Sequence, residues 1–257
     1  MLAILSPAKK LDFTTQKIPL KASQPHFIEE AKRLVSAARN LSKRELARTM
    51  NLSEKLADLN FERFKAFSPP FDINNAKQAG FVFNGDTYVG LDFKSLKTAD
   101  IKFAQKHLRI LSGLFGILRP LDLIQPYRLE MGAKFQPNKS ANLYDFWGDL
   151  VTQVLNADLG EHQNKVVINL ASNEYFKVIQ SAKLKGSLLT PRFKEFRNGE
   201  YQTIGIFAKK ARGMMARFII EESLVKPEEL KRFNRGGYKY IDDLSDDKNW
   251  VFARPKK

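Results

Sequence analysis

Two acids in this 257-residue chain stand where acid–base groups often stand. Asp86 in "NGDTYVGL" and Glu174 in "ASNEYFK" each follow a short apolar run, at the polar end of an expected strand. The competing reading makes each a turn or capping residue. A third stretch, "IFAKKARGMMARF" (206–218), places Lys209, Lys210 and Arg212 where a strand is expected to run into the first turn of a helix. That end of a helix already carries partial positive charge from unpaired N–H groups, so three cations there point to a bound anion. The alternative is a solvated helix end. The three histidines (His26, His107, His162) are isolated in sequence, and nothing suggests a Ser/His/Asp set or a His-based metal site. "DDLSDD" reads as a solvated acidic loop. No cysteine is present, which removes disulfides, thiolate chemistry and Fe–S clusters. No cofactor or metal is expected.

The glycines of "HLRILSGLFGILRPLDLIQPYRLEM" (107–131) suggest a second kind of anion contact. A helix over about 100–111 would pack Ile101, Ala104, Leu108 and Leu111 on one face, with Gly113 and Gly116 then bracketing a tight turn. Helix, glycine turn, helix over 100–125 is the outline of a helix-hairpin-helix, which presents backbone N–H groups to a DNA phosphate without reading bases. Its two glycines lie two residues apart and Pro120 follows closely, so a glycine C-cap is the alternative. "ELARTMNLSEKLADLN" has the outline of a helix-turn-helix, but Glu54, Asp58 and Glu62 on the second helix would repel phosphate. Ordinary helix packing is the better reading there.

These groups must be positioned by an α/β frame. Residues 23–66 read as three helices: one opened by Ser23 and Pro25, one by a Ser42/Glu45 capping box, one by Ser53. Elsewhere short apolar runs recur as expected strands: "LAIL" (2–5), "FVF" (81–83), "VVINL" (166–170) and "TIGIF" (203–207). Each ends in a polar cluster, and ligand sites in α/β sheets gather beyond carboxyl strand ends beside helix N-termini. Asn198-Gly199 between two strand-like runs is a hairpin signal, and "YKYI" against "NWVF" suggests another, so the sheet is expected to be mixed.

Charge supplies the partner class. Lys and Arg total 43 against 28 Asp and Glu, a formal net charge of +15. It is spread evenly, with 21 cations against 13 acids in residues 1–130 and 22 against 15 in the remainder. A basic folded body favours a polyanion, nucleic acid first. The apolar run of "MLAILSPAKK" is too short for a signal peptide and no segment reaches transmembrane length, so a cytoplasmic location without membrane contact is expected.

Taken together, "LSPAK", "GDTYVGL", "LSGLFGILRPLDLIQPYRLEMG", "LYDFWGD", "INLASNEYFK" and "AKKARGMMARFII" resemble the YaaA family of peroxide-stress-resistance proteins, from residue 2 to residue 253. The resemblance implies a single α/β domain over 1–257, of unusual fold, with a positively charged cleft and a helix-hairpin-helix. It also implies binding to duplex and branched DNA, and protection from peroxide linked to intracellular iron. Carried over by motif, the hairpin maps to Leu111–Arg119, and the cleft cations to Lys9, Arg128, Lys177, Lys209, Lys210 and Arg212. With no peroxidatic thiol in the chain, such protection is expected to be indirect. The competing reading is an enzyme acting on a nucleotide or damaged base through Asp86 or Glu174.

Overall fold

The computed structural model describes residues 1–14, 20–137 and 139–254. At its centre β1 (Leu2–Leu5), buried along its whole length, pairs in parallel with β5 (Leu108–Ser112) and with β8 (Val166–Leu170). A strand covered on both faces is written as a nearly unbroken apolar run, which "LAIL" is outright and "VVINL" is but for the buried Asn169, whose Oδ1 accepts from the Ala171 N–H at 3.0 Å. β9 (Ser187–Arg197) continues parallel to β8, and β12 (Asn249–Arg254) parallel to β9. Three antiparallel additions make the sheet mixed: β6 (Gly116–Leu118) on β5, β10 (Glu200–Gln202) on β9, and β11 (Lys239–Ile241) on β12. The order is β11-β12-β9-β8-β1-β5-β6, with β10 beside β9, eight strands in all. Two small ribbons stand apart, β2 (Lys10–Leu11) with β4 (Phe83–Asn84) and β3 (Lys77–Gln78) with β7 (Leu123–Ile124).

Three N-terminal helices form, but the first opens after Phe27 without a side-chain cap and not at Ser23 and Pro25, and Ser53 precedes the third without a capping hydrogen bond. α1 (Ile28–Arg39) buries Ala31, Leu34, Val35 and Ala38. α2 (Lys43–Met50) opens on the Ser42/Glu45 capping box and closes on Asn51 in the left-handed region. α3 (Glu54–Ala66) follows Ser53 and packs beside α2 as an ordinary helix pair. The Asn198-Gly199 turn has φ of 51° and 87°, the double positive φ of a tight hairpin. The remaining helices are α4 (Ala79–Val82), α5 (Asp86–Leu91), α6 (Thr98–His107), α7 (Leu143–Trp147), α8 (Leu150–Gly160), α9 (Asn173–Phe176) and α10 (Gly205–Glu221). None of the described helices is long and apolar enough to cross a membrane.

Three expectations are corrected. The helix-hairpin-helix over 100–125 is a helix followed by a β-hairpin: α6 stops at His107, and β5 and β6 pair Ile110 with Leu118 and Ser112 with Gly116. Its glycines answer to packing. A Cβ on Gly113 would lie 2.2 Å from the Leu129 carbonyl oxygen, and Gly116 sits at φ +66° against the Trp147 ring. Trp147, fully buried, donates from Nε1 to the Gly113 carbonyl at 3.1 Å. Second, "TIGIF" is no strand: Gly205 opens α10, so Lys209 and Lys210 fall in its second turn and not its first. "FVF" likewise splits between α4 and β4. Third, His107 and His162 are not isolated in space; their rings meet edge-on at 4.5 Å. No group of three or more metal-capable side chains gathers among the described residues.

Replacing Gly113 by alanine forces a methyl into backbone and should cost at least about 2 kcal/mol in urea denaturation. Gly160→Ala, where nothing lies within 4 Å of the new methyl, should leave stability equal or slightly higher.

Candidate functional site

The parallel strands β1, β5 and β8 end on the same edge of the sheet, and their following loops meet there. Ser6, just past β1, accepts from the Ser172 backbone N–H at 2.8 Å through its hydroxyl, and its carbonyl accepts from the Tyr88 hydroxyl at 3.0 Å. Ser172 caps α9, its hydroxyl accepting from the Tyr175 N–H. That cap points Glu174 back across the strand ends, where its Oε1 accepts from Gly132 N–H at 3.0 Å. The segment after β7 crosses the same edge and is pinned below by the close pass of Leu129 over Gly113.

A cavity of about 610 Å³ opens above this junction, lined by Lys9, Arg48, Arg128, Glu130, Lys134 and Glu174 among others. Glu130 is its buried acid. Oε1 is shared, with Lys9 Nζ at 3.2 Å and Arg128 Nε and Nη2 each at 3.0 Å. Oε2 is buried and has no hydrogen-bond partner among the described residues. Behind the acid lie two buried phenols. Burial first, then the Tyr127 phenol and the charges of Glu174 and Glu130, hold Tyr175 well above its ordinary pKa. Tyr127 is raised by burial and by Glu130, against a hydrogen bond with the Ser112 hydroxyl at 2.7 Å. Both phenols therefore stay neutral and protonated at physiological pH. The cations also crowd one another. Arg63 is depressed by burial and by neighbouring Arg128.

Two further cavities adjoin the first. One, of about 390 Å³, shares Gly132, Ala133 and Lys134 with it and adds Tyr144 and Lys177, whose ammonium stands 5.0 Å from the Tyr144 ring centroid. The other, of about 450 Å³, shares Arg48, Thr49 and Lys134. Lys134 thus borders all three.

Of the residues singled out from sequence, Lys9, Arg128 and Glu174 come together in the main cavity and Lys177 joins from its neighbour. The others lie elsewhere. Asp86 is an exposed first-turn residue of α5 and lines none of these three cavities. Gly113 and Gly116 are buried in the hairpin. Arg119 is held by Asp122, donating to Oδ1 from Nε at 3.1 Å and from Nη2 at 3.0 Å, and to the Gln24 carbonyl. Lys209 and Lys210 are exposed on α10 and line none of the three cavities. Arg212 is half-buried, with its pKa lowered by burial and by Arg192. Sequence reading missed Arg48, Glu130 and Lys134. An acid inside the apolar run "YRLEMG" was the available signal for Glu130.

An α/β sheet with a polar, ligand-sized cavity beyond its parallel strand ends is the class that fold and site define. The chain belongs to the YaaA peroxide-stress family, whose model, described as peroxide stress protein YaaA, matches residues 1–244. It is 50% identical over 254 residues to a UPF0246 protein of Colwellia psychrerythraea, covering 99% of each chain. Over 257 residues it is 48% identical to one from Idiomarina loihiensis, covering 100% of both. A UPF0246 protein of Magnetococcus marinus is again 50% identical over 254 residues, 99% of each.

Stripping one cation from a buried carboxylate leaves charge uncompensated. Arg128→Met should therefore cost about 3 kcal/mol in urea denaturation at pH 7. Lys9→Ala, from a side chain 67% exposed, should cost under about 1 kcal/mol. In a Glu130→Gln background the Arg128→Met penalty should shrink to a fraction of its value.

Proposed function

We propose that this protein contributes to peroxide resistance by binding DNA through its phosphate backbone, with little regard to sequence, along the three adjoining cavities. The observation that carries the reading is the set of cations on that surface. Lys9, Arg48, Arg128, Lys134 and Lys177 line it in succession, against three acids that already have partners in the fold. Glu45 is spent in a capping box, Glu174 on the Gly132 N–H, and one oxygen of Glu130 on two of the cations themselves. Arg48, Lys134 and Lys177, which make no ion pair among the described residues, are thereby left to outside anions, and the net charge of +15 draws a polyanion from any direction. Protection is indirect. A chain without cysteine has no thiol to reduce peroxide. Shielding DNA requires none.

Backbone binding has a salt signature. If about five phosphates are neutralised, log K should fall against log salt with a slope of roughly −4 to −5. Arg48→Ala and Lys134→Ala should each weaken binding similarly across DNA sequences and flatten that slope by about one unit. Fluorescence anisotropy with two unrelated duplexes of equal length measures both effects. A flat salt dependence, or strong preference for one sequence, would contradict the reading.

A further inference from the structure

Two cations at the main cavity are fixed close together with no acid to offset their charge. The Lys134 N–H donates to the Thr49 carbonyl at 3.0 Å, which sets Lys134 beside Arg48 at the end of α2. Both side chains line the main cavity and the neighbouring one of about 450 Å³, and neither makes a hydrogen bond or ion pair among the described residues. Glu45, the acid of that neighbouring cavity, turns Oε2 to the Ser42 N–H and hydroxyl. Holding like charges together raises the free energy of the empty site, and an anion between them lowers it. The whole wall is unbalanced in the same sense: four cations, Lys9, Arg48, Arg128 and Lys134, stand against two acids, Glu130 and Glu174. That excess of two charges matches a phosphomonoester, which carries about −1.5 to −2 near neutral pH, better than a backbone phosphodiester with its single charge. Shape points the same way. The walls come from the loop after β1, the end of α2, the 128–134 segment and α9, and they surround about 610 Å³, the size of a pocket for a small group. An internal phosphate continues into chain on both sides, so two exits are needed; a terminal phosphate needs one.

We infer that the main cavity receives the phosphomonoester at the end of a DNA strand, an assignment that rests on the nucleic-acid reading above for the chain carrying that phosphate. The phosphate sits between Arg48 and Lys134. Arg48 takes two of its oxygens in parallel, the match a planar guanidinium makes with phosphate. Lys9 closes from the loop after β1: it is 67% exposed and gives one of its three N–H donors to Glu130, which leaves two for the ligand. Arg128 stays with Glu130 and keeps the wall behind positive. The strand leaves past Lys177 in the adjoining cavity, where ordinary backbone contacts continue. A 5′ end and a 3′ end offer the same group, so the chemistry admits both and the test separates them.

The test is fluorescence anisotropy on the full chain with one duplex sequence in four forms: hydroxyl ends, 5′-phosphate ends, 3′-phosphate ends, and ends closed by hairpin loops. Wild type should bind at least one phosphorylated form about tenfold or more tightly than the hydroxyl form at matched ionic strength, and the closed form no better than the hydroxyl form. A preference confined to one phosphorylated form names the strand end, and an equal preference means that the site reads the phosphate alone. Lowering the pH from about 7.5 to about 5 should shrink the preference, since a monoester loses its second charge near pH 6. Arg48→Ala and Lys134→Ala should each bring the ratio of the two affinities close to one. Lys177→Ala, outside the main cavity, should weaken every form together and leave the ratio as it was, a contrast that misfolding does not produce. A ratio near one in wild type, or a ratio that survives in Arg48→Ala or Lys134→Ala, overturns the inference. So does inorganic phosphate that competes as well as the phosphorylated duplex at equal concentration, which would make the cavity a site for free phosphate. Salt-dependent binding of the hydroxyl and closed forms that persists in those cases leaves the groove reading standing, and its loss removes both.

Discussion

The buried carboxylate of Glu130 is the constraint on which the strand-end region is built. Placing it there costs several kcal/mol that only close, well-aligned cations offset. Lys9 comes from the loop after β1, and Arg128 from the segment after β7, so satisfying one oxygen ties two distant parts of the chain together. The segment that carries Arg128 and Glu130 has no regular ladder to hold it over the sheet. What seats it is the close pass of Leu129 over Gly113, the Trp147 bond to the same glycine, and the Glu174 carboxylate on Gly132. Packing, capping and charge thus converge on one short stretch, and the cations of the cavity take their positions from it.

A second close approach governs the other face of the strand ends. α5 and α10 cross so tightly that a Cβ on Gly90 would lie 2.1 Å from the Lys210 carbonyl oxygen, and one on Gly213 would lie 1.8 Å from that of Thr87. Glycine at both contact points lets the backbones meet. The side of α10 bearing Ala208, Ala211, Met215 and Ala216 then turns inward, which leaves Lys209 and Lys210 facing water. The glycine of "AKKARG" belongs to helix packing, and its lysines are outward by helix geometry. The same crossing holds Tyr88 where its hydroxyl can fix the Ser6 carbonyl.

Much of this was legible in sequence where the signal is local. "LAIL" and "VVINL" are buried strands, Asn198-Gly199 turns a hairpin, and Ser42, Ser53 and Ser172 open helices. Leu108–Leu118 misled, because a short buried strand and a buried helical segment share the same apolar composition and differ only in what lies beside them. Here the deciding neighbours, Leu129 and Trp147, are remote in sequence or hidden by an irregular segment. Lys9, Arg128 and Glu174 were readable as strand-end or motif residues. Arg48 and Lys134 were not, since each looks like an ordinary surface cation until folding sets α2 against the Lys134 backbone, whose N–H donates to the Thr49 carbonyl at 3.0 Å.

On the proposed reading the strand-end cavities, and not the α10 surface, meet nucleic acid. Lysine footprinting addresses it directly: the protein is briefly acetylated with and without a saturating DNA duplex, and each lysine's modification is read by mass spectrometry. Lys9, Lys134 and Lys177 should be protected by DNA, while Lys209 and Lys210 react at unchanged rates. Protection of Lys209 and Lys210 with Lys9, Lys134 and Lys177 still open would contradict it.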